Sequence, residues 1–373
     1  MRESLSIYIH YPFCKSKCPY CDFNSHVREG IDHQRFLRAY ERELEFFATK
    51  ISREKKVRTI FFGGGTPSLM PIFLVEGILK KISEIWPIEK DCEISLEANP
   101  TSFEASKFKD LKLAGINRIS LGIQALNDQD LKFLGREHSS EEAIKTIESA
   151  AKIFDNFSFD LIYARPNQTL ESWARELKFA IDFGTKHLSL YQLTIEKGTK
   201  FFSDFAQKKF EMPTENLSAE FYDLTNQITN EAGLELYEIS NYARKNFECR
   251  HNLVYWQGGD YLGIGAGAHS RIYFENEEKR SAIMMIHEPL NWLKKVEEFG
   301  SGIQNLEKIS AEELRQELIL MGMRLREGIS QNLFDFARLE KLQRQGLVRL
   351  ENGMVKIPAE SRLLTNSIIE KLV

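Results

Sequence analysis

No run in these 373 residues is apolar for long enough to cross a bilayer as a helix. A basic excess is also missing. Lys and Arg number 50 against 54 Asp and Glu, and the cations are spread along the chain, so nucleic acid is not an expected partner. Cysteine is scarce and odd in number, at five, which rules out an extracellular disulfide framework. Low-complexity stretches and short internal repeats are not evident. Met1 to His10 leaves no room for a signal peptide before the first cysteine stretch, so the expected setting is cytoplasmic and reducing. The length suits one large core with a smaller one beside it.

Against that scarcity, three of the cysteines crowd into Cys14-Lys15-Ser16-Lys17-Cys18-Pro19-Tyr20-Cys21, spaced C-x3-C-x2-C. Thiolates so close in sequence do not pair comfortably as disulfides, but they can wrap one face of a soft metal centre. Three ligands are one short of the usual set for a [4Fe–4S] cluster, so one iron is left open. Pro12 and Pro19 stiffen the loop. A structural zinc with His10, Asp22 or His26 as fourth ligand is the alternative, and plain buried thiols are another. Cys92, which reads as a buried strand residue, and Cys249 are not expected to join the centre.

The flanks narrow the choice. Tyr8-Ile9-His10-Tyr11-Pro12-Phe13 precedes the loop and Asp22-Phe23 follows it. This resembles the radical S-adenosylmethionine (SAM) proteins, and within them the HemN/HemW branch. The resemblance implies a [4Fe–4S] cluster held by Cys14, Cys18 and Cys21, with the amino and carboxylate groups of SAM on the open iron.

Strand and helix patterns alternate through the first two thirds. Strands are expected at Leu5–His10, Val57–Phe62, Cys92–Ala98, Arg118–Ile123, Phe157–Ile162 and His187–Leu193, with helical periodicity between them. That predicts an α/β fold with a parallel sheet, and about six βα units suit an open barrel better than a closed eightfold one. The resemblance implies the same partial, TIM-like (β/α)6 barrel. Ligands in such a sheet sit at the carboxyl ends of the strands. The cysteine loop, Gly63-Gly64-Gly65-Thr66, Glu97 and Gln124 all fall there, while Asp160 lies within its strand. The glycine run is either a tight turn or a place of close approach to a ligand. The family's SAM-binding positions correspond here to Tyr8, Tyr20, Gly63, Gly64, Gly65, Thr66, Glu97, Gln124, Arg136 and Asp160. One departure is Arg165, which stands in Asp160-Leu161-Ile162-Tyr163-Ala164-Arg165-Pro166 where relatives read Leu, and is expected to put a charge near the pocket.

Beyond the barrel, Leu234–Ser240 reads as a further strand. His251-Asn252-Leu253-Val254-Tyr255-Trp256 matches the His-Asn-x-x-Tyr-Trp signature of the HemW subgroup. Tyr261–Ala268 superficially matches a dinucleotide loop but lacks a strand–helix frame. Near Ser310 the pattern changes to helices at Leu314–Leu325, Asn332–Ala337 and Leu339–Gln345, a hairpin about Asn352-Gly353, and a closing helix Leu363–Leu372. The expected organisation is a barrel over 1–240, a connecting segment with the signature over 241–305, and a winged-helix-like domain over 306–373. That last domain reads as a lid or docking module rather than a DNA-binding one.

By resemblance, two activities compete: a haem chaperone, and an oxygen-independent coproporphyrinogen III oxidase. The oxidases carry a longer N-terminal extension and a further cysteine two places after the third, where this chain has Phe23. Both differences favour the chaperone, with haem as a third cofactor, His251 as its axial ligand and Cys249 as a rival ligand. No catalytic residue is assigned. The implied partners are haem, an acceptor protein of unknown identity and a reductant such as flavodoxin or ferredoxin, and a homodimer is left open.

Overall fold

The computed structural model describes residues 4–373; residues 1–3, the start of the expected barrel region, lie outside the described residues. Six strands run parallel and in sequence order: β1 (Ser4–Tyr11), β2 (Lys56–Gly64), β3 (Ile88–Ala98), β4 (Arg118–Gln124), β5 (Asn156–Tyr163) and β6 (His187–Gln192). The first five cover the strands expected from the sequence pattern, and β6 stops one residue short of its expected end at Leu193. Their two faces differ in chemistry. Leu5, Ile7, Ile9, Ile60, Phe62, Leu96, Ile119, Leu121, Phe159, Leu161, Leu188 and Leu190 belong to the main apolar core, which the surrounding helices complete. The alternate positions carry Ser6, Tyr8, Thr59, Glu93, Ser95, Glu97, Arg118, Ser120, Ser158, Asp160 and Ser189. A period of two puts these on the opposite, inner face. There Arg118 Nη2 donates to Ser158 Oγ at 2.8 Å, and Ser158 Oγ donates to Ser120 Oγ at 3.0 Å.

The helices form where caps and apolar stripes coincide. His33–Ala48 starts at Asp32, whose side chain accepts from Arg35 N, and buries Phe36, Tyr40, Leu44 and Phe47. Ser140–Ile153 starts in a reciprocal capping box of Ser139 and Glu142. The helix expected after β3 is instead two short ones, Ser102–Ser106 and Phe108–Leu113, joined at Lys107.

The sheet is larger than its parallel core. On one side β7 (Glu235–Leu236) and β8 (Asn241–Ala243) add antiparallel to β6. The single strand expected over Leu234–Ser240 is broken because the Glu238 carboxylate takes Ile239 N, Ser240 N and Asn241 Nδ2, which turns the chain. On the other side β9 (Tyr261–Ile264) pairs parallel with β1, and β10 (His269–Ile272), β11 (Ser281–Met285) and β12 (Ile303–Lys308) continue as an antiparallel meander. Twelve strands therefore form one open sheet, ordered β12-β11-β10-β9-β1-β2-β3-β4-β5-β6-β8-β7. Segment 241–305, which reads as a connector, supplies four of them and begins β12. The loop after β9 leads to another strand rather than a helix, so the glycines there do not form a dinucleotide loop.

The C-terminal residues enclose a separate core of Ile319, Met323, Leu339, Leu342, Val348, Val355, Ile357, Ile368, Ile369 and Leu372. Helix Ala311–Gly322 starts at a Ser310/Glu313 capping box, three residues before its expected start. Helix Phe336–Arg344 and a hairpin of β14 (Arg349–Glu351) and β15 (Met354–Lys356) follow, with β13 (Ile329–Ser330) on the hairpin's free side. Asn352 and Gly353 both take positive φ, 51° and 75°, as a two-residue hairpin turn requires. Asn332–Ala337 holds only a turn of 3-10 helix, Gln331–Leu333, before the next helix begins. Among the described residues no helix is long and apolar enough to cross a membrane.

Candidate functional site

At the carboxyl ends of the strands the inner face meets the cysteine loop in a cavity of about 550 Å³. It is lined by Cys14, Cys18, Tyr20 and Cys21 of the loop, Gly64, Gly65 and Thr66 after β2, Glu97, Gln124, Arg136 and Asp160. Asp160 reaches this level although it lies mid-strand because the strands are staggered: Gln124, the last residue of β4, is in register with Leu161. Gln124 itself holds φ 72°, a conformation unfavourable for a residue with a Cβ, at the point where β4 turns away.

The three glycines are needed by the chain itself. A Cβ at Gly63 would meet the Tyr8 ring at 2.9 Å, one at Gly64 the His10 ring at 2.6 Å, and one at Gly65 the Phe13 carbonyl oxygen at 2.6 Å. Gly65 N donates to Tyr11 O at 2.7 Å and Thr66 N to Phe13 O at 2.9 Å, so the turn clamps the strand that leads into the cysteine loop. Gly64 N also donates to a Glu97 carboxylate oxygen at 3.2 Å. Packing explains all three glycines, and Gly64 and Gly65 face the cavity as well.

Each thiol has a polar neighbour. Thr66 Oγ1 donates to Cys14 Sγ at 3.4 Å and Arg136 Nη1 to Cys18 Sγ at 3.3 Å, while Ser25 Oγ lies 3.9 Å from Cys21 Sγ. Asn99, which the sequence reading passed over, links the first two contacts. Its Nδ2 donates to Thr66 Oγ1 at 3.2 Å and its Oδ1 accepts from Arg136 Nη2 at 2.6 Å. The chain Cys14–Thr66–Asn99–Arg136–Cys18 thus bridges two sulfurs with donors that favour their ionised, metal-binding form. The available signal was position, two residues beyond Glu97 where β3 ends.

The thiol set fits an iron–sulfur cluster better than zinc. His10 is engaged at both ring nitrogens, by Tyr8 Oη at 3.0 Å and by Asn24 O at 2.9 Å, and His26 Nε2 meets Asn24 Oδ1 at 3.0 Å. Among the described residues no three His, Cys, Asp or Glu side chains gather about a single ion. A cluster needs only one sulfur on each of several irons. Two half-buried carboxylates face the same space. Burial, then the nearby Asp160, pushes Glu97 up to about 8, and burial pushes Asp160 up to about 6. Both are poised to ionise against a cationic ligand.

The Radical SAM superfamily model matches residues 8–180. Over its full length the chain is 34% identical to bovine radical S-adenosyl methionine domain-containing protein 1, mitochondrial, covering 88% of that protein. It is 42% identical to the heme chaperone HemW of Haemophilus influenzae, over 74% of this chain and 72% of that one. The chain belongs to the HemN/HemW family of radical SAM proteins. Among solved structures, coproporphyrinogen III oxidase (HemN) from Escherichia coli superposes with a TM-score of 0.82 at 23% identity, covering 99% of this chain and 90% of that one, which shows the shared fold.

Against that family pattern, three expected site residues lie outside the cavity and close to one another. Tyr8 stacks on Phe61 at a centroid distance of 6.3 Å and lies 6.3 Å from the His251 ring, and Gly63 abuts Tyr8. His251 sits on helix Arg250–Trp256, whose first amides are taken by Glu93: Oε2 accepts from Arg250 N and Oε1 from His251 N, each at 3.2 Å. Its imidazole is buried, with Nδ1 2.8 Å from Thr59 Oγ1 and Nε2 2.8 Å from Tyr255 Oη. Burial, then Arg118, drives its pKa down to about 3, so it is neutral at physiological pH. Cys249 is buried with its thiol toward Glu93 Oε1 at 3.6 Å, and burial pushes it up to about 12.

Arg165 does not face the cluster cavity. It is buried against Glu176 and Asp130, the latter at 3.0 Å, and ties the β5 loop to helix Leu170–Asp182. The expected charge near the pocket is therefore neutralised away from it.

Proposed function

We propose that this chain holds a [4Fe–4S] cluster on Cys14, Cys18 and Cys21 with SAM on its open iron, binds haem, and passes the haem to an acceptor protein. The SAM-ligated cluster, when bound, supplies a low-potential electron to a sulfonium. The chain's own residues position and shield it. Thr66, Arg136 and Ser25 hold the sulfurs, the Glu97 carboxylate, steadied by the hydrogen bond from Gly64 N, takes an ammonium, and Gln124 and Asp160 offer polar groups to a ribose.

The observation that carries the chaperone reading is the placement of the His251–Trp256 helix. It packs beneath the cluster cavity through His251 and forms, through Tyr255 and Trp256, a wall of a second cavity of about 1010 Å³. The name of the Haemophilus relative supports haem as cargo. Phe23, where the oxidases place a further cysteine, is 64% exposed beside the loop and adds no ligand. His251 belongs to the haem site in this reading. To ligate iron directly it would first have to release Thr59 or Tyr255.

Anaerobically reconstituted protein tests the reading in parallel assays. Saturable haem binding without coproporphyrinogen III consumption in the presence of SAM and a reductant is expected. Turnover to protoporphyrinogen would replace the chaperone with the oxidase. Haem transfer to a captured acceptor, reduction by a flavodoxin or ferredoxin, and dimerisation belong to the same proposal and are checked on that preparation.

A further inference from the structure

The larger cavity combines an aromatic wall with an unbalanced cation. Tyr255, Trp256 and Tyr261 line one side and Leu320 and Met321 of helix Ala311–Gly322 the other. Of its three arginines, Arg271 pairs with Glu317 at 2.9 Å and Arg280 with Asp260 at 3.6 Å. Arg324 meets only neutral acceptors, Leu320 O and, at 3.0 Å, Asn366 Oδ1; among the described residues no carboxylate lies within ion-pair distance of it. The cavity's acids are committed elsewhere, Glu238 to the amides of the β7–β8 turn and Glu313 to Ser310 N. A partly buried guanidinium without a counter-charge, beside apolar and aromatic surface, suits a flat ligand with a carboxylate at its edge.

Tyr255 is held differently from the other aromatics. Its hydroxyl meets His251 Nε2, and His251 Nδ1 meets Thr59 Oγ1. A phenolate is an axial haem ligand in its own right. We infer that this cavity is the haem site, that Arg324 takes a propionate, and that the Tyr255 oxygen meets ferric iron with His251 as its positioning residue. This rests on the chaperone reading and names the site within it. On ligation the phenol loses its proton. His251 then donates from Nε2 to the phenolate and accepts at Nδ1 from the Thr59 hydroxyl, so one proton in all leaves to solvent.

Ferric haem titrated into the full chain under anaerobic conditions tests this, with apo thermal melts as a folding control. Tyr255→Phe should abolish the phenolate-to-iron charge-transfer absorption and weaken binding. His251→Ala should shift the same band, while His251→Gln, which can still hydrogen-bond Tyr255, should restore it. Arg324→Ala should weaken haem binding about tenfold, yet leave the affinity for a propionate-esterified haem unchanged. A Tyr255→Phe spectrum identical to wild type, with His251→Gln behaving as His251→Ala, would make the imidazole the ligand and overturn the inference. If every variant binds haem as wild type does, the site lies elsewhere and the chaperone reading survives. If wild type binds no haem, both fail.

Discussion

The two cavities are built by opposite routes. The cluster cavity takes its groups from loops and strand ends that follow one another along the chain, from Cys14 to Asp160, each delivered to the same end of a parallel sheet. The larger cavity takes Tyr191 from β6, Tyr255 and Trp256 from one helix, Tyr261 from β9, Arg271 from β10, Leu320 from helix Ala311–Gly322 and Arg324 from the turn that follows it. The first is polar and bridged by hydrogen bonds between its sulfurs; the second is aromatic, with one arginine, Arg324, left without a carboxylate partner. A site assembled in sequence order is protected by one sheet. A site assembled from distant segments depends on how those segments are anchored.

The largest expected effect separates the two outright. Replacing Cys14, Cys18 and Cys21 together by Ala should abolish cluster content, counted as iron and sulfide after reconstitution, while haem affinity persists. Retained iron and sulfide in that variant would remove the metal assignment, and a parallel loss of haem binding would merge the two sites into one.

Next in size is an anchor of the meander. Glu43 is buried and accepts from Gly265 N at 2.9 Å, Gly302 N at 2.7 Å and Trp292 Nε1 at 3.0 Å, joining helix His33–Ala48 to the loop after β9, to helix Pro289–Phe299 and to the residue just before β12. Glu43→Ala strands three buried donors and should cost about 3 kcal/mol of stability in urea unfolding, with the second cavity loosened before the first. A loss below about 1 kcal/mol would show the anchor to be dispensable.

Glu97→Gln should weaken SAM binding to the reconstituted protein at least about tenfold by calorimetry, because a charged hydrogen bond is exchanged for a neutral one. Its pH dependence gives a second readout. Glu97 and Asp160 have folded pKa values, about 8 and about 6, above their ordinary ones. Their contribution to the stability of the ligand-free chain is full below the unfolded values, declines as pH rises above the ordinary carboxylate range, and is lost by about 6 for Asp160 and about 8 for Glu97. Glu97→Gln should flatten that fall. An unchanged pH profile would mean that Glu97 is already ionised in the empty cavity.

The smallest effect concerns Ala164, which holds φ 56°, a left-handed conformation that glycine adopts more readily. Ala164→Gly should relieve left-handed strain and stabilise the chain by about 1 kcal/mol or less, with haem binding untouched. A destabilised variant would show that the alanine methyl packs usefully beside Arg165.

Legibility follows the same division. The six parallel strands were readable because each joins a period of two to a bounding turn, and Cys14, Glu97 and Gln124 were readable because strand ends converge. Asn99 was not: a neutral amide between Ala98 and Pro100 is marked only by its place just past a strand end, and its role emerges when Thr66 and Arg136 lie beside it. The strand β9 was hidden in a glycine-rich stretch whose parallel partner, β1, lies some 250 residues earlier.

By itself the sequence determined the parallel core, the cysteine loop, the glycine turn and the capped helices, because these arise from spacing and local hydrogen bonding. Tertiary structure alone decided where three residues of the His-Asn-x-x-Tyr-Trp signature go. Only the arrival of Thr59 and Glu93 from two other strands buries His251 and leaves Tyr255 and Trp256 facing a cavity, because a helix face acquires an inside and an outside from what packs against it.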